Sequence, residues 1–206
     1  MTTATAIDWN AWRAVYDETT FMEQRDFYNE VFALHPVQDR FSVKHLHALL
    51  EHIGQPVSVV ELGGWTGEFA AAVLPKHPEI VRWRNYEISS HAVDESVYHS
   101  ARFEPVALRD WYWSWEHTCD LFVASHVLEH LKLRDVLKVF DVTDAPWMYL
   151  QAPLGSEPPT WDGYRGSHIL EVGWAWLTEE LQYRGYHLLG ELSSHPHVRC
   201  FEREPL

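Results

Sequence analysis

The 206-residue chain has little cysteine, few positive charges and no long apolar run. Its two cysteines, Cys119 and Cys200, fit no metal-ligand spacing. Both sit in apolar, strand-like segments, which predicts reduced, buried thiols. Sixteen Lys and Arg against thirty Asp and Glu leave a formal net charge of −14. That balance argues against a protein that tracks nucleic-acid phosphates, since such proteins carry a basic stripe. No apolar run approaches the ~20 residues of a membrane span, and the first residues lack the basic-then-apolar pattern of a secretory signal. The expected setting is a reducing cytoplasm. Repeats and low-complexity linkers are absent too, so the length suits one globular unit.

What is present is organised around Val57 to Phe69, V-S-V-V-E-L-G-G-W-T-G-E-F. Strand-like residues run into Glu61, a turn holds Gly63, Gly64 and Gly67, and Glu68 to Leu74 has helical spacing. Strand, glycine turn and helix make a nucleotide-binding βα unit. The glycines permit a sharp turn, and the helix start offers free N–H groups. Tight βα turns also arise for structural reasons alone, so the following elements matter.

Residues 8 to 54 read as a helical cover with Phe27, Tyr28, Val31 and Phe32 on one face. Leu46, Leu49, Leu50 and Ile53 line a second helix, with Ser42 placed to cap it and Gly54 to stop it. Val81 to Ile88 alternates like a strand and ends at Glu87, where a carboxylate can accept hydrogen bonds from ribose hydroxyls. Ser89 or Ser90 is placed to cap the next helix. Further strands are expected at Phe103 to Leu108, at the continuous apolar run Asp120 to Ser125, and at Trp147 to Ala152. Leu133 to Phe140 is a helix. The Trp111-Tyr-Trp-Ser-Trp115 run can wall a pocket or pack a helix against the sheet. A long loop, residues 153 to 167, carries Trp161 and Tyr164 and ends at His168, beyond a central strand where α/β sheets bind ligands. Thr178 is placed to cap the last helix, which stops at Gly185 before strands at 186 to 190 and 197 to 203.

Two stretches carry a family resemblance. Glu61, Gly63 and Gly67 resemble the first motif of class I S-adenosylmethionine-dependent methyltransferases, commonly E/D-x-G-x-G-x-G, with Trp65 where the middle glycine usually stands. The run D-L-F-V-A-S-H-V-L-E-H-L, residues 120 to 131, resembles the fourth-strand motif of small-molecule members, with His126 where many have glutamate. The turn before the fifth strand is shortened to D-V-T-D-A-P.

The resemblance implies an α/β fold: a Rossmann-like, seven-stranded, mostly parallel sheet with helices on both faces. An N-terminal helical extension over 1–56 would precede a methyltransferase-like domain over 57–206, the whole a single unit. It implies S-adenosylmethionine held by Glu61, Gly63, Gly64, Gly67, Glu87, Asp110, Ser125 and His126. The expected reaction is methyl transfer to a small-molecule hydroxyl, with His130 and His168 as candidate bases and Glu129 orienting one of them. Trp65 is expected to face outward, leaving the turn's N–H groups for the cofactor.

The same residues admit other readings. His126, Glu129 and His130 also spell H-x-x-E-H, the order of an inverted zinc-peptidase motif, which requires both imidazoles on one helical face. A divalent metal could instead hold the substrate's oxygens; the favoured reading uses none. Trp65 and the shortened turn motivate a binding protein without turnover. A nucleic-acid methyltransferase conflicts with the net charge and lacks an N/D-P-P-Y/F motif.

Overall fold

The computed structural model describes residues 9–34, 43–109, 118–154, 170 and 172–203. Among them, seven strands form one sheet in the order β3-β2-β1-β4-β5-β7-β6. The strands are β1 (Val57–Leu62), β2 (Ile80–Glu87), β3 (Phe103–Ala107), β4 (Leu121–Ser125), β5 (Trp147–Gln151), β6 (Tyr186–Leu188) and β7 (Val198–Arg203). The first five pair in parallel, while β7 runs antiparallel to both β5 and β6. The strand order reverses at β1 and β4, where doubly wound sheets open a crevice at their C-terminal ends.

Burial explains the strand sequences. Every residue of β4 is buried, so its apolar run has a helix layer on each side. On one face lie α1 (Trp9–Val15), α2 (Phe21–Leu34), α6 (Leu133–Val142) and α7 (Trp174–Tyr183), whose Trp12, Tyr28, Val136 and Leu177 join Val60, Leu62, Phe122 and Leu150 in one core. On the other lie α3 (Lys44–Ile53) and α4 (Glu68–Val73), where Leu46, Leu49, Leu50 and Phe69 pack on Val59, Trp83, Val123 and Tyr149. The N-terminal cover is thus continuous with the sheet's own core. In the cover, Trp12 and Phe27 stack at 4.0 Å and 4°.

Local signals held in several places. Gly54 ends α3 in the left-handed region, its N–H donating to Leu50 O at 3.1 Å. Ser89 caps α5 (Ser90–Asp94), its hydroxyl accepting from Ala92 N at 3.1 Å. Cys119 and Cys200 are buried thiols, and burial pushes the Cys200 thiol up to about 12. One start differs. α7 begins at Trp174 with Gly173 as its N-cap, a full turn before Thr178. Trp174 and Leu177 are both buried, so packing against the sheet extends the helix past the local cap signal. β6 likewise ends at Leu188, and Gly190–Ser193 form a 3-10 turn instead of strand. Ser42, Asp110, the Trp111 to Trp115 run, Trp161, Tyr164 and His168 lie outside the described residues.

Candidate active site

The parallel strands β1, β2, β4 and β5 all end at one edge, which brings two clusters of polar side chains together there.

The first cluster is the glycine turn after β1. Gly63 and Gly67 have φ of +71° and +89°, and a Cβ on Gly67 would lie 2.6 Å from the Phe103 ring. A Cβ on Gly64 would lie 2.4 Å from the Glu61 carboxyl carbon. These glycines are demanded by packing beneath the turn as much as by the turn itself.

Four of the turn's N–H donors, those of Gly63, Gly64, Trp65 and Gly67, are already used. Gly63 N–H donates to Tyr86 O at 2.8 Å, Gly64 N–H to Asn85 Oδ1 at 2.9 Å and Gly67 N–H to Gly64 O at 2.9 Å. Trp65 N–H donates to Glu87 Oε2 at 2.9 Å, and Ser89 N–H donates to Glu87 Oε1 at 2.9 Å. Asn85 also donates from Nδ2 to Trp65 O at 3.0 Å.

The expectation of an outward Trp65 therefore fails. The residue sits at φ +52°, is only 6 % exposed, and lies in the core shared by Trp12, Tyr28 and Tyr86. Burying an indole stabilises more than the left-handed backbone costs, about 1–2 kcal/mol. Asn85 was missed by sequence reasoning. Its signal was an amide inside an otherwise strand-like run, since a buried amide needs partners.

The acids of this cluster are deeply buried. Burial raises the Glu61 carboxyl to about 8, partly offset by the Trp83 indole N–H at 2.8 Å and reinforced by the Glu68 and Glu87 charges. Burial likewise raises Glu87 to about 7, against the backbone N–H groups of Ser89, Trp65 and Ile88 that hydrogen-bond its charged form. Glu61 braces the turn from below. Glu87 stands at the end of β2 as expected; its Oε2 pins the turn to that strand while its Oε1 holds Ser89.

The second cluster follows β4. Ser125 ends the strand, buried and opposite Gln151 of β5. His126 then takes φ +55°, its N–H donating to Gln151 O at 2.7 Å. Leu128–His130 form a single 3-10 turn. His126 and His130 therefore do not share an α-helical face, and the zinc-peptidase geometry is not formed. Among the described residues, no group of three or more His, Cys, Asp or Glu is arranged to hold a metal ion.

Glu129 is the centre of this cluster. Its Oε1 lies 3.2 Å from His126 Nδ1 and 4.0 Å from His130 Nε2. Its Oε2 is buried without a hydrogen-bond partner among the described residues. Burial opposes the charge, yet the His126 hydrogen bond and the neighbouring His130 and His126 hold the carboxyl below its ordinary range. Tyr28 of α2 faces both clusters: burial, then the Glu87 and Glu129 charges, push its hydroxyl up. The cover thus roofs this edge.

No family model and no curated protein matches the sequence. Solved structures do match. Mitomycin 7-O-methyltransferase MmcR aligns with a TM-score of 0.58 at 18% identity over 92% of this chain and 62% of its own. Magnesium protoporphyrin IX methyltransferase ChlM from Synechocystis PCC 6803, solved with bound S-adenosylhomocysteine, gives 0.58 at 12% over 90% and 100%. The fold is that of class I S-adenosylmethionine-dependent methyltransferases. N-methyltransferase NodS from Bradyrhizobium japonicum WM9 aligns at 0.56 and 16% identity over 79% and 95%. The chain spans only 54% of the methyltransferase SibL, which it matches at a TM-score of 0.56. In this methyltransferase fold, β7 supplies the antiparallel strand between β5 and β6.

The residues fit a sulfonium nucleoside in their donor set. Glu87 can accept from ribose hydroxyls through lone pairs not used by the turn, and the Thr66 hydroxyl is buried in the turn without a partner among the described residues. An acidic edge also suits a cation.

Proposed function

We propose that this protein transfers a methyl group from S-adenosylmethionine to a hydroxyl oxygen of a small molecule. One observation carries the reading: Glu129 is buried, held ionised by imidazoles, and has one oxygen without a donor among the described residues. An unpaired buried acceptor costs about 1–3 kcal/mol, and a substrate hydroxyl would remove that cost.

Glu87, Ser125, His126 and the residues of the turn, Glu61 bracing it, would hold the cofactor. When bound, it would supply an electrophilic methyl whose sulfonium charge is lost on transfer, so alignment in a dry cleft is the main demand. Glu129 Oε2 accepts the hydroxyl hydrogen and takes the proton as the oxygen–methyl bond forms. His130, half-buried beside it, then carries the proton outward. His168 remains a second candidate base and Asp110 a candidate adenine contact.

The net charge of −14 supports a small-molecule partner over a nucleic acid. None of the described helices is long and apolar enough to cross a membrane.

Titration calorimetry with S-adenosylhomocysteine, followed by radiolabelled methyl transfer to hydroxyl, amine and carbon acceptors, tests the reading. Binding with transfer to a hydroxyl is the expected result. Absence of binding at high micromolar concentration would sink it.

A second reading, cofactor binding without turnover, is favoured by the internally bonded turn and the buried Trp65. It predicts binding with no transfer to any acceptor.

A further inference from the structure

Gln151 ends β5 at the same edge and is 4 % exposed. It holds His126 twice. Its carbonyl accepts the His126 backbone N–H at 2.7 Å, and its side-chain Nε2 lies 3.2 Å from His126 Nε2. Its Oε1 accepts the Tyr149 hydroxyl at 2.9 Å. Tyr149 is fully buried, and burial pushes its hydroxyl up, so it remains a donor.

The chain of hydrogen bonds has a direction. The Tyr149 hydroxyl donates to the amide oxygen, and the amide NH2 faces the imidazole. An NH2 group can only donate, so His126 Nε2 must accept. The ring proton then sits on Nδ1, aimed at Glu129 Oε1.

We propose that Gln151 is a positioning residue that directs the His126 ring proton to Nδ1 and so keeps Glu129 bonded through Oε1 with Oε2 open to the acceptor hydroxyl. The last step rests on the reading of Glu129 given above; the tautomer does not. Around this ring stand Glu129 and His130 on its own segment and His197 from the turn before β7, whose own charge interacts with both His126 and Glu129. Tyr28 of α2 faces Glu129 from the cover.

Long-range 1H–15N correlation of the His126 ring in the full chain reads the tautomer directly, with His126→Gln giving the assignment. The wild type should show a protonated Nδ1 and an unprotonated Nε2 at pH 7. Gln151→Glu offers an acceptor in place of a donor, so Nε2 should become protonated as well. Tyr149→Phe frees the amide to turn over and should give a tautomer mixture, a second readout if Gln151→Glu folds poorly. In methyl transfer, Gln151→Glu should lower kcat about tenfold with KM little changed, and displace the acidic limb of the pH profile. Nitrogen signals unchanged in both variants would overturn the assignment whether or not the protein methylates anything. Altered signals with kcat and its pH profile unchanged would overturn the positioning role.

Discussion

At the β1–β2 end of the sheet edge, Glu61 and Glu87 are buried among backbone N–H groups and an indole, and burial pushes them to about 8 and 7. At the β4 end of the same edge Glu129 is just as buried, yet two imidazoles hold its carboxyl below the ordinary range. Burial is common to both ends, so the neighbours decide. Glu87 meets neutral donors with both oxygens engaged in the fold. Glu129 meets ionisable rings with one oxygen left open. Carboxyls pushed apart by their environments suit different roles: Glu61 and Glu87 support the turn, and Glu129 is the acid that the proposed reaction uses, although Glu61 Oε1 too is buried without a hydrogen-bond partner among the described residues.

Replacing Trp65 should break the structural end most severely. Trp65→Ala empties a core site while keeping the left-handed backbone, and should destabilise by about 3–5 kcal/mol. Trp65→Gly relieves the backbone strain and should lose about 1 kcal/mol less. Urea denaturation separates the two; equal losses would mean the φ of +52° carries no strain.

At the chemical end, Glu129→Gln keeps the shape and removes the charge. It should cut methyl transfer about 100-fold or more while stability falls far less than for Trp65. Activity within threefold of wild type would remove Glu129 from the reaction.

Glu87→Gln is the intermediate case. An amide can accept only one of the two N–H bonds from Trp65 and Ser89, so the turn should lose about 1–3 kcal/mol, read as a lower melting temperature. A neutral effect would mean that Glu87 is not what pins the turn.

The smallest and most diagnostic effect concerns pH. Glu61 and Glu87 have folded pKa values above the free carboxyl, so the folded state holds protons that the unfolded chain has released. Their contribution is full below about pH 4.5 and is lost as pH rises to about 8. Glu129 has the opposite sign, its contribution present above 4.5 and lost on acidification. Glu61→Gln still accepts from the Trp83 indole but cannot ionise. Its stability should therefore fall less than wild type between pH 5 and 8, ending roughly 1–3 kcal/mol ahead at pH 8. An unchanged slope would show that Glu61 ionises freely in the fold.

Much of the fold was legible because its signals are local. The strand–glycine–helix order at 57 to 74, the αL stop at Gly54, the Ser89 cap and the apolar β4 all follow from short-range sterics and periodicity. Where packing competed with a local signal, packing won: Trp174 and Leu177 carry α7 a turn past Thr178. The candidate site was legible only in part. Glu87 stands at the end of β2 and Glu129 in the turn after β4, but what their oxygens touch was not readable along the chain.

By itself, then, the sequence determined the order of elements and the strand ends at which polar side chains gather, because these depend on periodicity and glycine, while the seven-stranded sheet was implied by the family resemblance. Only the tertiary structure decided that Trp65 turns into the core, that Asn85 and Glu87 take up the turn's N–H groups, and that Gln151 and Tyr149 direct His126 towards Glu129. Those outcomes depend on side chains brought together from 20 to 25 residues apart, by strands pairing in register.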